Sequence, residues 1–423
     1  MPLTLIRPFA GLRPLAEHAA AVAAPPYDVL DSDEARVLAA GKPWSFLHVS
    51  KPEIDLDPGV SLYAPEVYAK GAENLQRTIA AGILKRDAAP CYYAYRLSMG
   101  AHVQTGIVVG ASVAAYESNR IRKHELTRQD KEDDRVRQVE AVDAHTGPVL
   151  LAHPANAEIS RVLAAVTAAP PAFTVTAHDG IVHTLWVIDG AGDIDAITAA
   201  YDSFPAVYIA DGHHRSAAAM RVAQARRGRP GASESSIYES FLAVSFPIPE
   251  MKIFDYNRVV RDLNGLSRDA FLKALESEFT VEPLGGEKNK VEAEQARPRD
   301  AREFGIYLPG QWYRLGLKKP LPPVSEPVAR LDVSLLSDRL LGPVLGITDL
   351  RKDKRIDFVG GKRGLGELER RVDSGEMAVA FALFATRMED LVAVADAGEI
   401  MPPKSTWFEP KLADGIVSNP LWD

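Results

Sequence analysis

Two hydrophobic periods alternate along the chain. Apolar residues fall at helical spacing over Tyr63 to Leu84 and Ile194 to Tyr201, and an Ala-rich helical period runs over Ser216 to Arg226. Between them lie segments rich in β-branched and aromatic residues, which predict strands at Cys91 to Leu97, Thr105 to Tyr116, Val149 to Ala152, Phe173 to Thr176, His183 to Val187, Val207 to Ala210 and Phe241 to Phe246. Ser45 to Val49 alternates enough to predict another short strand. Asp31 or Ser32 can cap a helix over Asp33 to Ala40.

After residue 250 the pattern continues. Helices are predicted at Leu263 to Phe279 and Leu331 to Leu341, and strands at Glu303 to Leu308, Trp312 to Leu317, Ile356 to Val359 and Met377 to Phe384. The Glu- and Lys-rich stretch Gly285 to Arg299 predicts a surface helix, Gly228 to Ser233 a turn, and Pro320 to Pro327 an extended linker. From Asn119 to Glu140, charges of opposite sign sit three and four apart, as on a solvated helix. The fold class expected is α/β with mixed α+β sheets.

Length then sets the number of cores. A single core rarely grows past about 250 to 300 residues, so a chain of 423 residues needs more than one. The expected division is an N-terminal α/β unit over 1–100, a central unit over 101–250 and a C-terminal α/β domain over 251–423, whose tail returns toward the site. Hydrophobic residues make up 46% and charged residues 25%, the balance of a chain that buries a large core.

Charge and cysteine content narrow the chemistry. A formal charge of -8 repels a polyanion, which argues against nucleic-acid binding. The single cysteine, Cys91, excludes an intramolecular disulfide framework and a Cys-rich zinc site. Met1 to Leu15 does not read as a signal peptide, and no stretch of about 18 apolar residues predicts a membrane span. A cytoplasmic location is expected.

The segment with the most specific chemistry is Asp211-Gly212-His213-His214-Arg215, with Ser216 behind it. A strand that ends there and opens an Ala-rich helix brings free backbone N–H groups, a positive helix end and an Arg fork to one place. Gly212 permits close backbone approach, Arg215 can hold a phosphate bidentately, and either histidine can donate to a phosphate oxygen or shuttle a proton. The bland alternative is that both histidines hydrogen-bond neighbouring loops. Adjacent histidines point in different directions, so no residue here is assigned as a metal ligand.

A second constellation is His124-Glu125-Leu126-Thr127 with Lys131, Glu132 and Arg135. Glu125 can serve as a general base for a hydroxyl, and Lys131 or Arg135 can offset phosphate charge. An ordinary solvated helix face explains the same residues equally well. Lys404-Ser405-Thr406 follows a stiff Met401-Pro402-Pro403 approach and presents two hydroxyls and an ammonium, against the simpler reading of a segment docked by Trp407 and Phe408. Tyr27 and Asp28 after the paired prolines are a further candidate, with core packing of Tyr27 the competing explanation.

These segments, together with Arg7-Pro8-Phe9-Ala10-Gly11-Leu12-Arg13-Pro14, Pro25-Pro26-Tyr27-Asp28-Val29 and Ser45-Phe46-Leu47-His48-Val49, resemble a prokaryotic family known as domain of unknown function ten-fifteen. The resemblance spans the chain and assigns no reaction. Locally, the Asp-Gly-His-His-Arg turn is similar to the phosphate-binding box of the ParB and sulfiredoxin superfamily, which includes free serine kinases. It implies a ParB/sulfiredoxin-like central domain, with Glu125 as base on a serine hydroxyl and Asp211 to Arg215 holding the phosphate donor.

The expected function is therefore transfer of a phosphoryl group from pyrophosphate or a nucleotide to a small hydroxyl compound, with L-serine the best single guess. Glu125, His213 and His214 are the expected catalytic residues. Asp211, Gly212, Arg215, Ser216, Lys131, Arg135, Lys404, Ser405 and Thr406 would bind phosphate, and Tyr27, Asp28, His124 and Thr127 the acceptor. Mg2+ is expected to accompany so charged a donor. The partners are a small phosphate donor and a small hydroxyl acceptor, with no nucleic acid and no membrane, and a homodimer is allowed. Alternatives are a nucleotide- or phosphate-binding regulator without turnover, a phosphate-ester hydrolase, or a scaffold. Almost ninety residues separate Glu125 from His213, so the kinase reading requires the fold to bring them together.

Overall fold

The computed structural model describes residues 4–228, 233, 236–285 and 291–422. The remainder of the expected turn at Gly228 to Ser233, and residues 286–290 of the surface helix expected over Gly285 to Arg299, lie outside the described residues. The fold is mixed α/β. It divides into two compact units, one formed by Met1–Met251 with Pro410–Asp423 and the other by Lys252–Glu409.

The first unit is built on a mixed sheet. Its strands lie in the order Ile121–Arg122, Val207–Asp211, Val149–His153, Ser240–Pro247, His102–Ser112, Tyr92–Met99, Val182–Ile188 and Phe173–Thr176, with Ile6–Arg7 pairing beside His102–Ser112. The central strands read as near-continuous apolar runs, because helices and loops cover both of their faces. One core cluster gathers Tyr92, Ile107, Val109, Leu151, Ile197, Tyr201, Val207, Ile209 and Phe241 under the helices Ala157–Thr167, Ala191–Asp202 and His213–Arg226. A second, around Phe46, Leu47, Leu75 and Leu84, lies beneath Pro65–Ala80.

The second unit carries a six-stranded antiparallel sheet in the order Phe279–Pro283, Gln311–Leu317, Glu303–Leu308, Val379–Leu383, Tyr256–Val260 and Ile356–Gly360. Trp312, Leu365, Leu368 and Val372 pack on it. Lys404, Ser405 and Thr406 belong to this unit.

Several local expectations change. Ser45 to Val49 is not a strand: Leu47–Ser50 is one helical turn, which buries Phe46, Leu47 and Val49 together where alternation would have turned one of each adjacent pair away from the core. The strand expected through Tyr116 stops at Ser112, whose hydroxyl accepts from the Ala115 N–H and starts a short helix, Val113–Glu117. Arg268–Leu275 is shorter than the helix expected over Leu263 to Phe279, since Ser267 caps it at the Ala270 N–H. Asp31 caps Ser32–Ala39 with Glu34 in a reciprocal capping box, as the sequence suggests.

The charged segment is also different from a freely solvated helix. Its helical part is Gln129–Val142, and it packs against His213–Arg226 through ion pairs. Arg221 reaches Asp133 at 2.8 Å and Glu132 at 3.3 Å, while Arg226 reaches Asp143 at 2.8 Å and Glu140 at 3.2 Å. The partly exposed Arg221 pairs are worth about 0.2 to 1 kcal/mol each, whereas Arg226 is buried and its two carboxylates compensate a charge that would otherwise be stranded.

Candidate active site

The strand Val207–Asp211 runs into Gly212 and directly into the helix His213–Arg226. Gly212 has φ +96, the left-handed region where a side chain is strained, and a Cβ there would stand 3.0 Å from Arg215 Nε. The glycine therefore allows both the sharp reversal and the folding back of Arg215. The helix then starts with its backbone donors at the strand end.

Asp211 is held by two neighbours. Its Oδ1 accepts from the Gly212 N–H at 2.8 Å, and Lys411 Nζ donates to its Oδ2 at 3.1 Å. Burial alone would raise the Asp211 carboxyl, but Lys411 and Arg215 outweigh it and hold it well below the usual carboxylate range. Arg215 donates to the Pro148 carbonyl and stands 3.5 Å from Asp28 and 3.8 Å from Asp211. Arg135, ion-paired to Asp134 at 2.6 Å, places its guanidinium 3.9 Å over the Tyr27 ring. Asp28, Tyr27, Arg135 and Arg215 are thus one cluster.

The loop that carries the second constellation arrives beside the turn. Glu125 Oε2 lies 3.7 Å from His213 Nδ1, with the Glu125 side chain half-exposed and His213 buried. His213 Nε2 accepts the His124 backbone N–H at 3.4 Å, and His214 Nε2 accepts the Arg128 N–H at 3.1 Å. Both histidines therefore anchor the 124–128 loop, as the bland alternative had it, and that assigns the proton of each neutral ring to Nδ1. Burial keeps His213 neutral, reinforced by His124, and lowers His214 as well. The His213 Nδ1–H faces Glu125 across a gap longer than a hydrogen bond.

His124 packs edge-on against His213, ring centroids 4.5 Å apart, and burial lowers its imidazole to about 4 although Ile209 and Asp211 pull the other way. Its Nδ1 has no hydrogen-bond partner among the described residues. Thr127 donates to Glu132, which fixes the loop onto the following helix. Ser216 donates to the His213 carbonyl and so serves the helix start. Lys131 donates to the Tyr63 hydroxyl at 2.9 Å.

In the other unit, Ser405 donates to the Pro402 carbonyl at 2.6 Å, the Lys404 ammonium lies 5.6 Å over the Tyr256 ring, and Arg258 donates to the Lys404 carbonyl. Thr406 precedes the strand Trp407–Glu409.

Sequence reasoning missed two residues at the turn, Lys411 and Asp414. Both come from Pro410–Asp423, which returns to the first unit after the whole second unit has intervened. Among the described residues no group of three or more His, Cys, Asp or Glu is placed to hold a metal ion. The cluster offers carboxylates already ion-paired to Arg and Lys, so it does not form a cage for Mg2+ by itself.

The sequence matches the family described as protein of unknown function, DUF1015, over residues 6–334, and the chain belongs to that family. Three solved structures are distantly similar. A free serine kinase in complex with AMP is 14% identical with a TM-score of 0.32, the match covering 72% of this chain and 86% of that one. A conserved hypothetical protein from Pyrococcus furiosus is 15% identical with a TM-score of 0.32, covering 73% and 93%. SbnI with a C-terminal truncation, from Staphylococcus aureus, is 10% identical with a TM-score of 0.35, covering 73% and 85%. No curated protein matches the sequence significantly.

Proposed function

We propose that this member of the DUF1015 family is a phosphotransferase that moves a phosphoryl group from pyrophosphate or a nucleotide to a small hydroxyl compound, L-serine being the first candidate. The observation that carries the reading is the meeting of Glu125 with the turn, 3.7 Å from His213 across almost ninety residues of sequence. Phosphoryl transfer needs a base for the acceptor hydroxyl beside a set of donors for the phosphate. A half-exposed carboxylate facing the His213 Nδ1–H, at the start of the helix that also carries Arg215, supplies both in this reading.

In this reading the donor phosphates lie on the N-terminal end of His213–Arg226, held by backbone N–H groups and by Arg215. Glu125 takes the acceptor proton as the hydroxyl oxygen bonds to the terminal phosphorus and the phosphoanhydride bond breaks, releasing phosphate from pyrophosphate or the nucleotide shortened by one phosphate. Arg135, Tyr27 and Asp28 shape the wall next to Arg215, and Thr127 and His124 hold the loop that aims Glu125. Mg2+ would arrive on the donor, bound by its phosphates and water with one or two carboxylates at most, and would offset phosphate charge.

One observation favours a second reading, a phosphate- or nucleotide-binding regulator. Both histidine Nε2 atoms are already engaged by the loop, so each ring keeps one nitrogen for a ligand. A 31P NMR assay of the full chain with Mg2+, L-serine and pyrophosphate, ADP or ATP separates the two. Phosphoserine that disappears in Arg215→Ala supports the transferase; donor bound by wild type but never consumed, with binding lost in Arg215→Ala, supports the regulator.

A further inference from the structure

Behind the turn lies a cavity of about 30 Å³ walled by Asp414, Arg215, Arg135, Tyr27 and His145 among others. It has room for about two water molecules. Asp414 is 1% exposed, and among the described residues neither of its carboxylate oxygens has a hydrogen-bond partner. The nearby Ser50 hydroxyl donates instead to the Phe46 carbonyl at 3.3 Å.

Asp414 cannot turn away from this position. Its backbone N–H donates to the Ala24 carbonyl at 2.9 Å, and the Ala24 N–H donates back at 3.1 Å. Gly415, at φ +81, follows so close to Phe46 that a Cβ would stand 2.8 Å from that ring. A buried carboxylate without hydrogen bonds is costly when ionised, so it tends to hold its proton.

The charges around it favour the same state. Among the described residues the titratable and charged groups facing Asp414 are Tyr27, Asp28, Tyr95, Arg135, His145 and Arg215, the Tyr95 phenol being raised by burial and neutral. Tyr27 and His145 are neutral, the phenol raised to about 12 and the imidazole lowered to about 3, each chiefly by burial. With their immediate partners, the cluster holds the cations Arg135, Arg215 and Lys411 against Asp28, Asp134 and Asp211. Ionised Asp414 adds a third carboxylate beside Arg215, after Asp28 and Asp211, where a bound anion would add more negative charge.

We propose that Asp414 is a positioning residue of the anion site, acting through Arg215: the turn takes its anion with Asp414 neutral, so binding brings the uptake of one proton. This rests on the turn being an anion site. Burial places the Asp414 carboxyl at about 7, with Arg215 pulling it down and Asp28 pushing it up, so the linkage operates near neutrality.

Calorimetric titration of the full chain with inorganic sulfate tests it, since sulfate does not change protonation between about pH 6 and 9. Two buffers of different ionisation enthalpy count the protons. Affinity should be level near pH 6 and fall about tenfold per pH unit above about 7, with close to one proton taken up at pH 8. Asp414→Asn should bind without that slope and without proton uptake. Should Asp414→Asn not fold, His213→Asn and His214→Asn decide: uptake retained in both supports Asp414, and uptake lost in either places the proton on that histidine and overturns the proposal. Sulfate binding that is independent of pH, or uptake that persists in Asp414→Asn, overturns it while leaving the anion site standing. Absence of sulfate binding at every pH overturns the anion site itself, and the proposal with it.

Discussion

His213 accepts the backbone N–H of His124 at Nε2 and turns its Nδ1 toward the side chain of Glu125, 3.7 Å away. One imidazole thus fixes the loop and faces the carboxylate that the loop carries. Burial keeps that imidazole neutral, so it presents an N–H rather than a competing cation.

If Glu125 is the base, Glu125→Gln should lower kcat by about 10² to 10⁴ and leave the dissociation constant of the donor unchanged. Its half-exposed side chain predicts a stability change within about 0.5 kcal/mol. Steady-state kinetics, donor binding and urea unfolding measured together check this; weakened donor binding with kcat unchanged would assign Glu125 to binding.

Gly212→Ala forces a side chain into the left-handed region, which costs about 1 to 2 kcal/mol, and drives its Cβ to 3.0 Å from Arg215 Nε. Loss of stability by urea denaturation should be accompanied by weaker pyrophosphate binding. Full affinity in the variant would show that the backbone at this turn does not approach the anion.

Lys411 holds Asp211 ionised, and a carboxyl lowered in the folded state adds stability that is present above its unfolded value, about 3.9, and lost as pH falls through the folded one. Lys411→Met should therefore be less stable than wild type at pH 7, with the difference shrinking below about pH 4. Thermal unfolding from pH 2.5 to 7 measures it; an equal difference at every pH would assign Lys411 to packing alone.

Asp414 carries the opposite sign. Its carboxyl is raised to about 7 in the fold, so its contribution is complete below the unfolded value and is lost as pH rises through about 7. Wild type should lose stability relative to Asp414→Asn between about pH 4 and pH 8. The comparison of unfolding midpoints shows it, and parallel profiles would mean that Asp414 is not buried with its proton.

The strand, glycine and helix around Asp211 to Arg215 were legible because each local signal agrees: an apolar run, a residue suited to positive φ, then an Ala-rich helix. Glu125 was legible as a residue type, whereas its distance from His213 depends on the parallel pairing of Ile121–Arg122 with Val207–Asp211, which no local pattern reveals. Lys411 and Asp414 were missed for a similar reason, since they return to the first unit only after the 252–409 unit. Their one hint is that Asp414-Gly415 repeats the acid–glycine pair of Asp211-Gly212. The charge run was read as solvated because i,i+4 pairing within a helix and pairing between two helices leave the same sequence pattern.

The most direct test is single-turnover 31P NMR with enzyme in excess over pyrophosphate, L-serine and Mg2+ present, comparing wild type, Glu125→Gln and Arg215→Ala. The account predicts phosphoserine from wild type, bound but unconsumed pyrophosphate in Glu125→Gln, and free pyrophosphate in Arg215→Ala. Equal phosphoserine formation in all three, or pyrophosphate that stays bound and intact in wild type across hydroxyl acceptors and nucleotide donors, would contradict it.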